Sequence, residues 1–104
     1  MSKTEIKRII REYGENLKKE RFPFSSIYLF GSYAKGNYNK DSDIDIAIVS
    51  DISAENMEKK RLSIWRARRN VDYRIEPHLF TEKDFANNSD PLAYEIRKTG
   101  FIVI

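Results

Sequence analysis

The sequence has no cysteine and a single histidine, His78, in 104 residues. The lack of cysteine excludes disulfide bonds, thiolate nucleophiles and cysteine-based zinc sites. One imidazole cannot build a histidine-rich zinc site, so any bound metal must depend mainly on oxygen ligands, which indicates magnesium or manganese. No apolar run approaches the roughly 20 residues that cross a bilayer, and the N-terminus is charged. We therefore expect a soluble, cytoplasmic protein that does not bind membranes.

The chain is short and only mildly basic. Its 104 residues suit one domain, expected to cover residues 1–104. The 19 Lys and Arg against 16 Asp and Glu give a formal net charge of +3, which is too small to indicate nucleic-acid binding by itself. We interpret the basic stretch over residues 59–69 as a solvated helix face rather than an RNA-binding surface.

Hydrophobic spacing and capping residues predict alternating helices and strands. Helices are expected over residues 2–20, 54–69 and 91–99, with shorter turns of helix within 31–42 and around Phe85. Strands are expected over residues 26–30, 43–49, 71–80 and 101–104. The inward side chains of the second long helix are expected to be Met57, Leu62 and Trp65. This order predicts an α/β (α+β) fold, a small mixed β-sheet with helices packed mainly on one face.

Two carboxylates project from one face of the second predicted strand. Because successive side chains alternate, Ile44, Ile46 and Ile48 share one face whereas Asp43 and Asp45 share the other. At about 4 Å two such charges repel by roughly 4 kcal/mol at an effective dielectric constant near 20. The pair therefore needs separation, protons or a cation, and a divalent metal meets that need.

The third predicted strand offers further carboxylates. Its polar face carries Asp72, Arg74, Glu76 and His78. If the second and third strands are neighbours with matching faces, the pair of aspartates converges with Glu76 or Asp72 in an oxygen-rich cluster suited to two magnesium ions. Such a cluster can hold a nucleoside triphosphate and stabilise attack at its α-phosphorus. We interpret His78 as a strand-end residue hydrogen-bonded to its neighbours, with contact to phosphate or the incoming hydroxyl as the alternative.

The turn after the first strand has the features of a phosphate-binding loop. Gly31 permits close backbone approach, the amides that follow can bind an anion, and Ser32 adds a hydroxyl. Lys35 and Lys40 lie in the loop and can reach triphosphate oxygens as flexible point charges. Ser42, at the end of the loop, is also a candidate nucleotide-binding residue.

Gly31 and Ser32, ten intervening residues and then Asp43-x-Asp45 resemble the signature of the DNA polymerase beta-like nucleotidyltransferase superfamily. The resemblance is closest to its minimal nucleotidyltransferases; it rests on residues 31–49, and the order of elements agrees across nearly the whole chain. It implies phosphate binding at Gly31 and Ser32 and metal binding at the two aspartates. Glu76 is assigned as the third catalytic and metal-binding carboxylate, because its strand leads into the next helix as in the family.

The resemblance implies a metal-dependent enzyme that transfers a nucleoside monophosphate, AMP from ATP, to an acceptor hydroxyl, with Mg²⁺ or Mn²⁺ as cofactor. Minimal nucleotidyltransferases are often encoded beside a HEPN-domain toxin. The resemblance therefore also implies a toxin–antitoxin pair in which this protein is the antitoxin and a tyrosine of the toxin is the acceptor. Because the catalytic core nearly uses up the chain, we expect the acceptor surface to come from a partner, in a homodimer or hetero-oligomer.

Two other functions are compatible with the sequence. The first is a binding module that neutralises its partner by contact, with a nucleotide site that does no chemistry. The second is nucleotidyl transfer to a small molecule or an RNA end, which would label that acceptor without any protein partner.

Overall fold

The computed structural model describes residues 2–104 as a four-stranded mixed sheet with six helices. The helices are α1 (Lys3–Lys19), α2 (Ser32–Lys35), α3 (Ala54–Lys59), α4 (Arg61–Arg66), α5 (Glu82–Phe85) and α6 (Pro91–Thr99). The strands are β1 (Ser26–Phe30), β2 (Ile44–Ser50), β3 (Ile75–Thr81) and β4 (Phe101–Ile102), in the order β3-β2-β1-β4. Strand β1 is antiparallel to β2 and β4, whereas β2 and β3 are parallel. The mixed sheet agrees with the prediction.

Side-chain caps determine where four of the helices begin. The hydroxyls of Ser2, Ser53 and Thr81 each accept the amide of the residue three positions later, at 3.0–3.2 Å. Asp90 accepts the amides of two residues in the first turn of α6, where Pro91 occupies a position that needs no N–H donor. These predicted caps are confirmed. Within residues 2–104, no helix is long and apolar enough to cross a membrane.

Apolar side chains cover both faces of the sheet. The larger cluster lies beneath α1 and α4 and includes Ile10, Leu29 and Ile46. The smaller cluster lies beneath α5 and α6 and includes Val49 and Phe80. The helices are thus weighted towards one face, as expected, and the short helices of the other face leave one end of that face open for the polar residues described below.

The helix predicted over residues 54–69 is divided at Lys60, which joins α3 to α4 with φ −100° and ψ 8°. Met57 is buried as expected, but Leu62 and Trp65 are exposed, so their predicted inward positions are wrong. Ile64 faces the core instead, and the Tyr13 side chain of α1 reaches across to donate to the Ile64 carbonyl. The large apolar size of Leu62 and Trp65 was therefore a poor guide to which side of the helix is buried.

The third strand begins at Ile75 and not at Val71 as predicted. Residues 71–74 do not pair with β2, because the first residues that β2 and β3 pair with each other are Ile44 and Ile75. Asp72 instead folds back and accepts the amide of Arg74 at 2.9 Å, which is a local turn contact. Asp72 therefore lies in a turn before the strand that carries Glu76.

Candidate active site

Three strand ends meet at one edge of the sheet. Because β2 and β3 are parallel, both begin at this edge, and because β1 is antiparallel, it ends there. In the register of the sheet, Asp45 lies between Phe30 of β1 and Glu76 of β3. Residues in register share a face of the sheet. The topology therefore places the two carboxylates side by side at the point where the chain leaves β1.

Asp43, Asp45 and Glu76 form a carboxylate cluster at this edge. Asp43 is exposed and directly precedes β2, whereas Asp45 and Glu76 are half-buried. A hydrogen bond with the Asp43 carboxyl, partial burial and the negative charge of Asp45 together raise the pKa of Glu76 above its ordinary value. The cluster thus favours a shared proton or a bound cation over three free negative charges.

Gly31 lies against the Asp45 carboxylate. Its φ of +74° and ψ of −152° fall in a region that side chains other than glycine rarely adopt. A Cβ atom at this position would overlap Asp45 Oδ2. Two independent constraints therefore favour glycine at position 31: the backbone conformation and the close contact with the Asp45 carboxylate.

His78 extends the cluster along β3. Its Nε2 atom lies 3.6 Å from Asp45 Oδ1, and Asp45, Glu76 and His78 each have a potential ligand atom within 4.8 Å of the others. Contrary to the hydrogen bonds expected between the imidazole and its neighbours, the buried Nε2 has no such partner among residues 2–104. The sequence did contain a signal, since His78 follows Glu76 by two positions and therefore shares its face.

Asp72, the alternative third carboxylate, points elsewhere. It forms an ion pair with Arg74 at 2.7 Å, and the same guanidinium donates to the Tyr33 hydroxyl at 3.2 Å. The hydrogen bond from Arg74 holds the pKa of Asp72 below its ordinary value. The structure thus brings Glu76, and not Asp72, to the two aspartates.

The candidate nucleotide-binding residues of the loop after β1 have contacts of several different kinds. Ser32 begins α2 directly after Gly31. The ammonium of Lys35 pairs with Glu95 of α6 at 2.8 Å, and the Ser42 hydroxyl accepts the Asn39 amide at 2.9 Å. The Lys40 carbonyl accepts a long hydrogen bond from the guanidinium that holds Asp72. Lys35 and Ser42 therefore have structural contacts of their own beside any contact with a nucleotide.

The donor set fits a divalent cation. Carboxylate oxygens from Asp43, Asp45 and Glu76 are the ligands that Mg²⁺ and Mn²⁺ prefer, and a cation would offset the negative charge that they bring together. The unpartnered Nε2 of His78 adds a nitrogen donor on the same side. The residues present at this edge are therefore able to hold a metal ion.

A small mixed sheet with paired carboxylates at the start of β2 defines a protein of the nucleotidyltransferase type. A family model described as a nucleotidyltransferase domain matches residues 6–103, and the chain belongs to that family. Protein adenylyltransferase MntA of Shewanella oneidensis is 36% identical over 56 residues, which cover 54% of this chain and 37% of that protein.

Two proteins of Methanocaldococcus jannaschii, both named by inference as protein adenylyltransferases, are also similar. One is 52% identical over 44 residues, covering 41% of this chain and 44% of the relative. The other is 31% identical over 74 residues, covering 68% of this chain and 73% of the relative. The matched region spans about half the length of the first curated relatives.

Two solved structures share the fold. A Sulfolobus solfataricus protein, named by inference a nucleotidyltransferase, has a TM-score of 0.51 and 26% identity, covering 80% of this chain and 78% of its own. A mutant of the toxin–antitoxin complex MntA-HpeT has a TM-score of 0.54 and 20% identity, covering 90% of this chain and 71% of the matched chain. At that identity, the second likeness concerns the fold alone.

Proposed function

We propose that residues 1–104 form one catalytic domain that transfers AMP from ATP to a hydroxyl of a protein partner. The observation that carries the proposal is the meeting of Asp43, Asp45 and Glu76 at one sheet edge, beside a glycine that leaves no room for a Cβ atom. Family membership supports the same chemistry. The named adenylyltransferases among the relatives support AMP as the transferred group and a protein as the acceptor.

The reaction forms one bond and breaks one. The acceptor oxygen attacks the α-phosphorus of ATP, the bond between that phosphorus and the bridging oxygen to the β-phosphate breaks, and pyrophosphate leaves. The hydroxyl proton passes to a carboxylate, and Glu76 suits this role because it lies beside Asp45 in the register of the sheet, at the open edge. A bound Mg²⁺ or Mn²⁺ supplies positive charge that offsets the charge developing on the phosphate oxygens.

The remaining candidate residues orient the nucleotide. Asp43 and Asp45 would hold the cation, and the backbone at Gly31 and Ser32 would lie along the phosphates, as in the family resemblance. Lys35 would have to exchange its exposed pair with Glu95 for a phosphate oxygen. Exposed ion pairs contribute only about 0–1 kcal/mol, so this exchange is not costly.

We further propose that the acceptor is a tyrosine of a HEPN-domain toxin and that this protein is the antitoxin. The support is the small fold shared with the antitoxin-bearing complex MntA-HpeT and the similarity to MntA. The active-site edge is open at the surface, with Asp43 exposed, and a folded partner could therefore approach the carboxylates.

The test is intact-mass spectrometry of the product of the neighbouring gene, after incubation with this protein, ATP and a divalent cation. A gain of whole AMP units is expected, and peptide mapping should locate it on tyrosine. The double variant Asp43→Asn, Asp45→Asn should abolish the gain. Asp51→Asn, which removes an exposed carboxylate beyond the other end of β2, is the matched control and should retain it.

The other outcomes separate the remaining functions. An unmodified partner that binds both this protein and the double variant tightly would indicate neutralisation by contact. Labelled AMP on a small molecule or an RNA end, with no protein partner present, would indicate a different acceptor and overturn the antitoxin proposal.

A further inference from the structure

The imidazole of His78 presents a buried nitrogen to the carboxylate cluster. Its Nε2 atom is shielded from solvent and has no hydrogen-bond partner among residues 2–104. Asp45 Oδ1 lies 3.6 Å away, which is beyond hydrogen-bond distance. Since a buried polar atom without a partner costs free energy, the orientation of this ring needs a reason.

Neighbouring side chains hold the ring in this orientation. Phe30 packs against the imidazole edge to face, with ring centres 5.1 Å apart. Ala47 lies opposite His78 in the register of β2 and β3, and its small side chain leaves space for the imidazole on that face. The nitrogen is thus placed by packing, before any ligand binds.

The separation between the ligand atoms of His78 and Asp45 fits a shared metal ion. The donor atoms of Asp45, Glu76 and His78 all lie within 4.8 Å of one another. Two ligands of one transition-metal ion lie at most roughly 4.4 Å apart, since each bond is about 2.0–2.2 Å long. The 3.6 Å between Asp45 Oδ1 and His78 Nε2 is within that limit.

We propose that His78 Nε2 is a nitrogen ligand of the divalent ion held by Asp45 and Glu76. We further propose that this ligand gives the site a preference for a first-row transition ion such as Mn²⁺ over Mg²⁺. The inference rests on the proposed nucleotidyl transfer, which requires a metal at these carboxylates. It adds a ligand and a metal preference that three carboxylates alone would not give.

The preference follows from ligand chemistry. Mg²⁺ requires near-octahedral oxygen coordination and gives up its water reluctantly, so an imidazole adds little to its binding. Transition ions accept imidazole and carboxylate together. One imidazole beside two carboxylates therefore favours Mn²⁺, while Mg²⁺ still binds through the oxygens.

The chain allows a direct spectroscopic test, because His78 is its one histidine. The tag-free protein is loaded with Mn²⁺, with and without α,β-methylene-ATP, which cannot release AMP. Pulsed electron paramagnetic resonance should then show nitrogen modulation from a coordinated imidazole. His78→Leu, which retains an apolar contact with Phe30, should remove that modulation.

Binding titrations provide the second measurement. His78→Leu and His78→Gln should weaken Mn²⁺ binding by roughly 10–100-fold, the range seen when support for a metal site is lost. Mg²⁺ binding should change by much less, so the ratio of the two affinities falls. Circular dichroism shows whether each variant is folded, and the nitrogen signal of the unmutated protein tests the proposal even if neither variant folds.

The outcomes separate the ligand proposal from the proposed function. Mn²⁺ that binds to the unmutated protein without nitrogen modulation would overturn the role of His78, while metal-dependent transfer could stand. An equal loss of Mn²⁺ and Mg²⁺ affinity in both variants would also overturn the preference and assign His78 to positioning Asp45. If the unmutated protein bound neither ion in any condition, both the ligand proposal and the proposed metal-dependent transfer would fail.

Discussion

At the scale of single residues, Glu76 and Asp72 are two acidic side chains four positions apart with opposite electrostatic surroundings. Glu76 lies beside two other carboxylates, which raise its pKa, whereas Asp72 lies beside a guanidinium, which lowers its pKa. The sequence showed both as carboxylates on one strand face. They differ because the pairing of β3 with β2 begins only at Ile75. Glu76 lies within the strand, whereas Asp72 lies in the preceding turn, where it pairs with Arg74.

Replacing these two carboxylates should therefore have different effects on transfer. Glu76→Gln should lower the rate of AMP transfer by about 10²–10⁴-fold, the usual contribution of a general base. Asp72→Asn should leave the rate within a few-fold of the unmutated protein. Single-turnover measurements with saturating ATP give both rates. Equal losses, or a larger loss in Asp72→Asn, would refute the assignment of the third carboxylate.

Asp72 also gives a pH dependence of stability. Its folded-state pKa is lowered, mainly by the hydrogen bond from Arg74, so its contribution to stability is present above the unfolded pKa of about 3.9. That contribution is lost as the pH falls through the folded-state value. Asp72→Asn should cost about 1–2 kcal/mol of unfolding free energy at neutral pH. The difference between the two proteins should shrink below about pH 4 in urea titrations, and a difference that stayed constant with pH would contradict this account.

Gly31 gives a sharper residue-scale prediction because Gly36 is a natural control. Gly31→Ala should lower stability by about 1–3 kcal/mol and reduce AMP transfer strongly, since the new methyl group would displace the Asp45 carboxylate. Gly36 also has a positive φ, of +84°, but a Cβ there would meet nothing within 4 Å. Gly36→Ala should therefore cost about 1–2 kcal/mol in stability and leave transfer intact. Urea titration and transfer assays on both variants check the pair, and equal activity in the two would show that Asp45 tolerates the methyl group.

At the scale of elements, caps and alternation were readable from the sequence. Ser2, Ser53, Thr81 and Asp90 cap helices where their motifs predict, and β1 has the predicted bounds. The reason is that these signals are local: a hydroxyl or carboxylate three residues before an amide needs no distant partner. The spacing that brings Asp43 and Asp45 together at the start of β2 is a local signal of the same kind.

The features that the sequence did not reveal depend on partners distant in the chain. Ile64 rather than Leu62 or Trp65 faces the core because α1 binds the backbone of α4, 51 residues away. Likewise, the contact of His78 with the active-site edge requires the parallel register of β2 and β3. Spacing within β3 places His78 on the face of Glu76, but which element lies opposite that face cannot be read from one segment alone.

The interaction between α1 and α4 can be tested by mutating Tyr13. Its buried hydroxyl donates to the Ile64 carbonyl at 2.6 Å, and burial raises its pKa. Tyr13→Phe should lower the unfolding free energy by about 1–2 kcal/mol, since the hydrogen bond is lost within the core. That corresponds to roughly 4–8 °C in Tm per kcal/mol for a domain of this size.

The matched control for Tyr13 is Tyr94→Phe on α6, where the side chain is 48% exposed. This variant should shift Tm little, because water replaces any contact of the hydroxyl. AMP transfer at 25 °C should be unchanged in both variants, as neither tyrosine lies at the carboxylate edge. Equal Tm values for the two variants would show that the buried hydrogen bond contributes nothing to holding α4.

At the scale of the whole molecule, the many charges fall into two classes. Most ion pairs of the described residues are exposed, including Arg8 with Glu12 and Lys59 with Glu55. Such pairs contribute about 0–1 kcal/mol each and are screened by salt. The carboxylate cluster is different, because it concentrates like charges at one edge where a divalent ion can offset most of them.

These two classes should respond differently to added ions. Raising NaCl from about 0.01 to 0.5 M should change the unfolding free energy by less than about 1 kcal/mol, because the exposed pairs contribute little. MnCl₂ at about 100 times its Kd should instead raise it by about 2.7 kcal/mol if it binds only the folded state at one site. Urea titrations measure both effects, and the MnCl₂ samples are compared with NaCl samples of the same ionic strength. Asp45→Asn should lose the manganese effect while Asp51→Asn keeps it, and an equal response in those two variants would mean that the ion acts through general screening rather than through the carboxylate edge.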